Sequence, residues 1–404
     1  MKFLTLLFLI FLTISSFANS FTSVMNGDWS NPLTWGETAI IPLTGDEVII
    51  NHTVTITDQI TVDGYWSTDG ENASITIGAN GILQTGESVF GIAILNGASI
   101  TNNGQANFPQ LGNYSGVFTN NATCTFSQLI YNLDEFVNNG ELLDIDSLYT
   151  NGNFTNNIDA KIYTDSLLND YTGTFINKGK IYLQEFSNNE TLDNIGLIEF
   201  RRFTNRGKLT NTGSLVGSVD ATNSGHLILA AGSSLTLENS FSNTNEIDHT
   251  ALLEVEGSFI ISNSFTNRDT VKGQNGSLEL QSSSSNFGWM KGSFVFCDHT
   301  PTSGTPVNID YNTGVIETTV QDCASLSVQT ISSLEISFYP NPTNESVKII
   351  NASQVKLVDL SGKLVLSKNI ENEAELDIHN LKKGIYIITL TNNDKSLVRR
   401  LVID

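Results

Sequence analysis

The sequence is poor in most of what marks a catalytic centre. Its five histidines (His52, His226, His249, His299 and His379) form no His-x-His or His-Glu-x-x-His word, so neither of these zinc-hydrolase motifs is present. Neither a Gly-x-Ser-x-Gly elbow nor a phosphate loop occurs. There are only three cysteines, Cys124, Cys297 and Cys323, and none has metal-finger spacing. Cations are short as well. Residues 21–330 hold 10 Lys and Arg against 33 Asp and Glu, a balance that repels nucleic acid and anionic membrane. Beyond the first twenty residues no stretch is apolar enough to cross a bilayer as a helix. Almost no segment repeats its apolar residues with the helical period. Disorder does not explain this, because 39% of residues are hydrophobic and the β-branched runs are regular.

What is present begins with an export signal, expected over 1–18. Lys2 supplies the positive start, Phe3 to Phe17 is apolar apart from Thr and Ser, and Ser16-Phe17-Ala18 offers small residues for a signal peptidase. The apolar stretch, about 15 residues, falls short of the ~20 a spanning helix needs. No cysteine follows to carry a lipid anchor. An exported chain can form disulfides. Cys297 and Cys323 flank one irregular stretch containing Pro301 and Pro306, and are expected to pair over the last repeat. Cys124, within the alternating Thr123-Cys124-Thr125-Phe126, reads as a buried core thiol.

The middle of the chain repeats. Phe-x-Asn recurs at Phe118, Phe154, Phe175, Phe186, Phe203, Phe241 and Phe265, with a variant at Phe136. Asn-x-Gly-x-Leu/Ile appears at Asn138, Asn177, Asn194, Asn205, Asn211 and Asn223. Steps of 17 to 21 residues are too short for paired helices. They suit a β-solenoid in which each turn gives two or three short strands, with Asn and Gly at bends that need left-handed backbone. One turn cannot bury its apolar face, but stacked turns share a continuous core. Phe136, Phe154, Phe175 and Phe203 are then expected in one aromatic stack, and residues near Ile181 and Ile198 in parallel pairing. A globular sandwich would explain the short strands but not the recurring words. The pattern resembles the right-handed parallel β-helices of bacterial surface proteins, and the hand comes from that resemblance.

Two flanking regions carry further likenesses. Asn26-Gly27-Asp28-Trp29-Ser30-Asn31-Pro32-Leu33-Thr34-Trp35, with Pro42 and Gly45-Asp46-Glu47-Val48-Ile49-Ile50, resembles the opening of the G8-type module. A cap is therefore expected over 21–61, with Trp29 and Trp35 plugging an open end that would otherwise expose core and strand edges. At the other end, alternating apolar segments with turns at Asp359-Gly362 and Asn392-Asp394 read as a small Ig-like antiparallel sandwich over 332–404. Its words say more. Tyr339-Pro340-Asn341-Pro342, Asp359-Leu360-Ser361-Gly362-Lys363, Gly384-Ile385-Tyr386 and Arg399-Arg400 occur in order. Together they resemble the type A C-terminal sorting domain of type IX secretion substrates, found in Bacteroidetes surface proteins. That resemblance implies Pro340, Asn341, Pro342, Gly384, Tyr386, Arg399 and Arg400 as signal residues, although the final basic pair is often Lys in the family. It also implies passage through the periplasm, recognition by the translocon, and outer-membrane machinery that removes the tail and attaches the cargo to lipopolysaccharide.

Chemistry is thinly signalled in the body. Asp144, Asp146 and Asp165, with Arg201 and Arg202 further on, are the nearest approach to the paired aspartates of β-helix hydrolases and the calcium-and-base sets of β-helix lyases. Stacked carboxylates repel unless a cation or water screens them, so calcium is the one cofactor left open, and a solvated acidic face is the simpler reading. Glu185 and Arg202 stand one position before Phe186 and Phe203, which suggests a stacked ion pair. Asp146-Ser147-Leu148, Asp165-Ser166-Leu167 and Asp269-Thr270-Val271 resemble the O-glycan acceptor word of exported Bacteroidetes proteins, marking Ser147, Ser166 and Thr270.

The expectation is an all-β chain: a right-handed parallel β-helix over 62–325 behind the cap, then the Ig-like sorting domain. It would be a secreted, monomeric surface protein without a catalytic site, adhesin-like or structural. Its partners would be the type IX translocon, the attachment machinery, and an extracellular glycan or surface lipopolysaccharide. The alternatives are a polysaccharide-active lyase or glycoside hydrolase, or a carbohydrate-binding protein. A clustered Asp/Arg groove that depolymerises glycan would favour the enzyme. A uniform rod with an Asn ladder and no groove would favour the adhesin.

Overall fold

The computed structural model describes residues 18–57, 65–246, 250–300, 306–323, 336–339, 341, 343, 345–359, 363–392 and 395–403. The expected signal peptide, apart from Ala18, and the signal prolines Pro340 and Pro342 lie outside the described residues. The chain divides into two compact units, one ending at Ser325 and the other beginning at Leu326.

The first unit is a parallel β-solenoid. A representative turn has a short strand, Glu135–Asn138, then a long one, Glu141–Thr150, that crosses a corner and so forms two sides. The chain next returns as Asn153–Asn156, which lies parallel to Glu135–Asn138 with Phe136 beside Phe154. Three faces result. In the turn above, the first carries 135–138, the second 141–145 and the third 147–150. Ile181 pairs in parallel with Ile198, as the repeat spacing requires. The turn is not of fixed length: Asn177 meets its successor 17 residues on and Gln84 its predecessor 29 residues back. Each short strand alternates half-buried and buried positions, as a sheet with one face on a core must.

Residues expected as a separate cap carry strands of the same stack. Ser20–Thr22 pairs with Glu47–Ile50, which pairs in parallel with Ser74–Ile77. Trp29 and Trp35 are buried, 5.0 Å apart in edge-to-face contact, and Trp66 lies 4.7 Å from Trp29. Their indole N–H groups donate to Pro42 O and Trp29 O, so three aromatic rings fill the first turns without stranding a donor. At the far end Val307, Ile309 and Val320 are buried against the last turns, and Cys297 and Cys323 are joined in a disulfide with Cα atoms 5.2 Å apart. Cys124 is free and fully buried, and burial pushes its thiol pKa up.

The repeated words have two corrections. Phe118, Phe136, Phe154 and Phe175 stack on the first face, with Phe154 at 4.5 Å from Phe136 and 4.8 Å from Phe175. Phe203 is not among them. It stacks at 4.7 Å on Phe186, in the third-face strands where Phe186 and Phe203 are in register. The second correction concerns Asn and Gly. None of the repeated Asn-x-Gly residues has a positive φ. The asparagines instead point inward and form two side-chain ladders along the core. On the first face Asn102, Asn120, Asn138, Asn156, Asn177 and Asn194 each pass an Nδ2–H to the Oδ1 of the next, ending at Asn211, at 2.7–2.8 Å. On the third face the chain runs from Asn169 to Asn312 at 2.8–2.9 Å. In many of these asparagines Nδ2 also donates to the carbonyl two residues on, so the amide closes its own bend, as Asn194 does with Gly196 O and Asn188 with Glu190 O. Glycine is needed there for room: a Cβ on Gly196 would meet Gly179 O at 2.0 Å, and one on Gly213 would meet Gly196 O at 2.1 Å.

The third-face ladder has one defect. Thr150 takes an asparagine's place, accepting from Asn132 at 3.1 Å and donating its hydroxyl to Gly152 O. It has no second donor, and Asn169 Oδ1 is buried without a partner.

The second unit is antiparallel. Ser337–Tyr339, Ser346–Asp359, Leu364–Asp377, Gly384–Asn392 and Lys395–Ile403 join in one five-stranded antiparallel network, the separate C-terminal β-unit that the sequence led one to expect. Ser346–Asp359 changes partner along its length: 348–350 pairs with Ser337–Tyr339, and 354–359 with Gly384–Asn392. Asn351, at φ 61°, and the register shifts around it bend the strand where the partner changes. Val347, Ile349, Leu357, Ile388, Leu390 and Leu401 make its core.

Candidate functional site

Outside the core, the second face between residues 144 and 238 forms an open groove of about 760 Å³. Strand alternation builds its floor. In Lys161–Asn169 the buried Ile162 and Thr164 send Tyr163 outward, and in Lys180–Asn188 the buried Ile181 and Leu183 do the same for Tyr182. The two tyrosines are in register and stack at 5.0 Å, with ring planes 12° apart. Glu199 and Val216 continue the column.

Ser147, Ser166, Glu185 and Arg202 are register partners on successive turns. The residue before each of them, Asp146, Asp165, Gln184 and Arg201, forms one rim of the groove. Asp144 also lines it, from a bulge where its φ of 58° lets the long strand take an extra residue. The three aspartates share the groove without converging. No group of three or more His, Cys, Asp or Glu that could hold a metal ion exists among the described residues. Arg202 pairs with Glu185 at 3.1 Å, and Arg201 approaches the same carboxylate at 3.6 Å. Exposed pairs of this kind contribute at most about 1 kcal/mol. Ser147 and Ser166 are half-buried in strands paired on both sides, and Thr270 Oγ1 donates to its neighbour Asp269.

A second, smaller depression involves Glu254, Lys272, Gln274 and Lys291. Glu254 accepts from Lys272 at 2.9 Å and sits 2.6 Å from His226 Nε2. Burial raises the carboxyl pKa, but the Lys272 and His226 hydrogen bonds outweigh it and hold the group below its ordinary range. Sequence reasoning missed the tyrosine floor and, while naming an asparagine ladder as the mark of a uniform rod, did not place the residues that form it. The identical words Lys161-Ile162-Tyr163 and Lys180-Ile181-Tyr182 were the available signal for the first.

In the C-terminal unit, Asn341 ties the N-terminal segment to the last strand: its Nδ2 donates to Arg400 O and its Oδ1 accepts from Val402 N, both at 2.8 Å. Tyr386 is buried with its hydroxyl on Lys382 O at 2.7 Å. Gly384 has a φ of 150°, which a side chain would disfavour. Arg399 and Arg400 are exposed on the edge strand. Residues 337–404 match the model of the secretion system C-terminal sorting domain. No curated protein matches the chain. A sorting domain of this type implies secretion by the type IX machinery and attachment at the cell surface, with the solenoid as the delivered body. Within the sorting domain, Asn341, Gly384 and Tyr386 hold the sheet together, while the two arginines are the ones displayed.

Proposed function

We propose that this is a Bacteroidetes cell-surface protein, carried through the periplasm and exported by type IX secretion, whose solenoid serves as a non-catalytic, adhesin-like or spacer rod. The observation that carries the reading is the sorting domain placed directly after the solenoid. The rod suits the role. Backbone pairing joins the turns throughout, and asparagine ladders and stacked rings reinforce most of its length, so it resists bending along its axis. Its acidic surface keeps it solvated and away from anionic lipid. Deleting 332–404 should leave the truncated protein in the periplasm of a type IX-competent host, as read by cell fractionation and surface proteolysis. Normal surface display of the truncated chain would refute the export reading.

A second reading, a polysaccharide lyase or glycoside hydrolase, draws on the register alignment of Asp146 and Asp165 beside Arg201. Release of reducing ends or unsaturated sugars from a polysaccharide panel, lost in Asp165→Asn, would establish it over the first.

A further inference from the structure

We propose that the groove over Tyr163 and Tyr182 binds a polysaccharide chain that lacks acidic groups, laid along the axis of the solenoid. This goes beyond the export reading and does not depend on it.

The groove's shape argues for a linear repeating ligand. Its lining runs from Asp144 to Glu238 across successive turns, a span of roughly 24 Å at ~4.8 Å per turn. It is open to solvent and not an enclosed cavity. The strands beneath it are paired on both sides, so no free edge is available for a peptide to join by strand addition.

The chemistry of the walls argues for a polyol. The floor is the stacked tyrosine pair, with Tyr163 38% exposed. Such a surface suits the apolar C–H faces of a sugar while the phenol hydroxyls reach its oxygens. Asp146, Asp165 and Glu199 offer oxygens that only accept hydrogen bonds, and Gln184 adds a carbonyl and an amide. Acceptor-rich walls call for a ligand rich in donors, which is what sugar hydroxyls provide.

Charge then selects among glycans. Asp144, Asp146, Asp165, Glu199 and Glu238 line the groove against the single cation Arg201, which lies 3.6 Å from Glu185. A uronic acid or sulfated polymer would bring its anions alongside these carboxylates and be repelled at low salt. A neutral or amino-bearing chain meets no such barrier.

Affinity electrophoresis and isothermal titration of the full exported chain would test this. The probes are a soluble neutral β-glucan, a partly deacetylated chitosan and polygalacturonate as the acidic control. Retardation by either of the first two and not by the third is expected. Tyr163→Ala with Tyr182→Ala should weaken that binding at least tenfold, while Trp289→Ala, on an exposed residue outside the groove, should not change it. Tyr163→Phe with Tyr182→Phe keeps the stacked floor and guards against a folding defect, so it should retain most of the binding. Unchanged binding in the alanine pair, a preference for polygalacturonate, or no retardation by the two non-acidic polymers would each overturn the proposal. So would shortening of the bound chain, which would make the groove a catalytic one.

Discussion

The solenoid and the sorting domain are both β-structures of similar apolar content, yet they solve the burial of polar groups in opposite ways. In the solenoid each strand lies parallel to its counterpart one turn away, so like side chains meet: Phe on Phe, Tyr on Tyr, Asn on Asn. A buried amide is then satisfied by its own repeat. In the sorting domain the antiparallel register follows no repeat, so Val355 lies beside Lys368 on one side and Leu390 on the other. No ladder can form, and among its described residues only Thr343 and Asn351 are buried polar ones. Charge divides along the same line. The solenoid body is strongly acidic, while the chain from Ile331 holds nine basic and nine acidic residues. Parallel stacking makes repetition itself a bonding device, and a sequence that does not repeat must exclude polar groups from its core.

That contrast can be broken most forcefully at the aromatic stack. Phe154→Ala should cost about 3–5 kcal/mol, because its cavity opens between two rings at contact distance. Hydrogen exchange should show lost protection in the turns on either side, since each turn depends on the two it touches. Damage confined to residues 153–156 would mean that the turns do not share one core.

Reducing the Cys297–Cys323 disulfide comes next. Its sequence separation of 26 residues corresponds to about 3 kcal/mol on a chain-entropy basis. Denaturant unfolding with and without reductant should show this loss in the solenoid's transition, with the sorting domain's unchanged.

The ladder offers the sharpest test. Asn188→Ala removes the partner of both Asn169 and Asn205, leaving buried amide groups unpaired at about 1–3 kcal/mol each. Thr150→Asn should act in reverse. It would give Asn169 Oδ1 the donor it lacks and stabilise the solenoid by about 1 kcal/mol, measurable as a raised midpoint in denaturant. A destabilised Thr150→Asn variant would show that the break relieves crowding.

The parallel solenoid was legible because spacing near 17 residues leaves room for nothing but short strands, and like words at that spacing demand like positions. What spacing could not do was assign words to faces. Phe-x-Asn ends a strand on the first face at Phe175 and on the third at Phe203, and the steps from Asn177 to Asn194 and from Phe186 to Phe203 are equal. A periodic signal carries length but not phase. The inward direction of the asparagines was hidden for a related reason. Asn is a common bend residue for its backbone tolerance, and only the three-dimensional stack shows that here its side chain, not its φ, is in use. The groove's rim was partly legible through Asp146 and Asp165. Its floor was not, because Tyr163 and Tyr182 sit in apolar runs that read equally well as core.

The asparagine ladders also give the rod an electrical direction. In the two buried ladders the Nδ2–H that joins one amide to the next points toward the following turn and the Oδ1 toward the previous one, while the shorter exposed run from Asn157 to Asn103 points the other way. A primary amide has a dipole comparable to that of a peptide unit, about 3.5 D, and aligned dipoles add. The negative pole therefore lies toward the N-terminal turns, where Asn113 Oδ1 is the unpaired first carbonyl on the third face. The positive pole faces the disulfide. A chain that folds from its N-terminus thus presents, after each completed turn, a row of aimed donors waiting for the next asparagine. Every addition repeats the same reaction on the same template, so the growing end is always the one that can accept another turn.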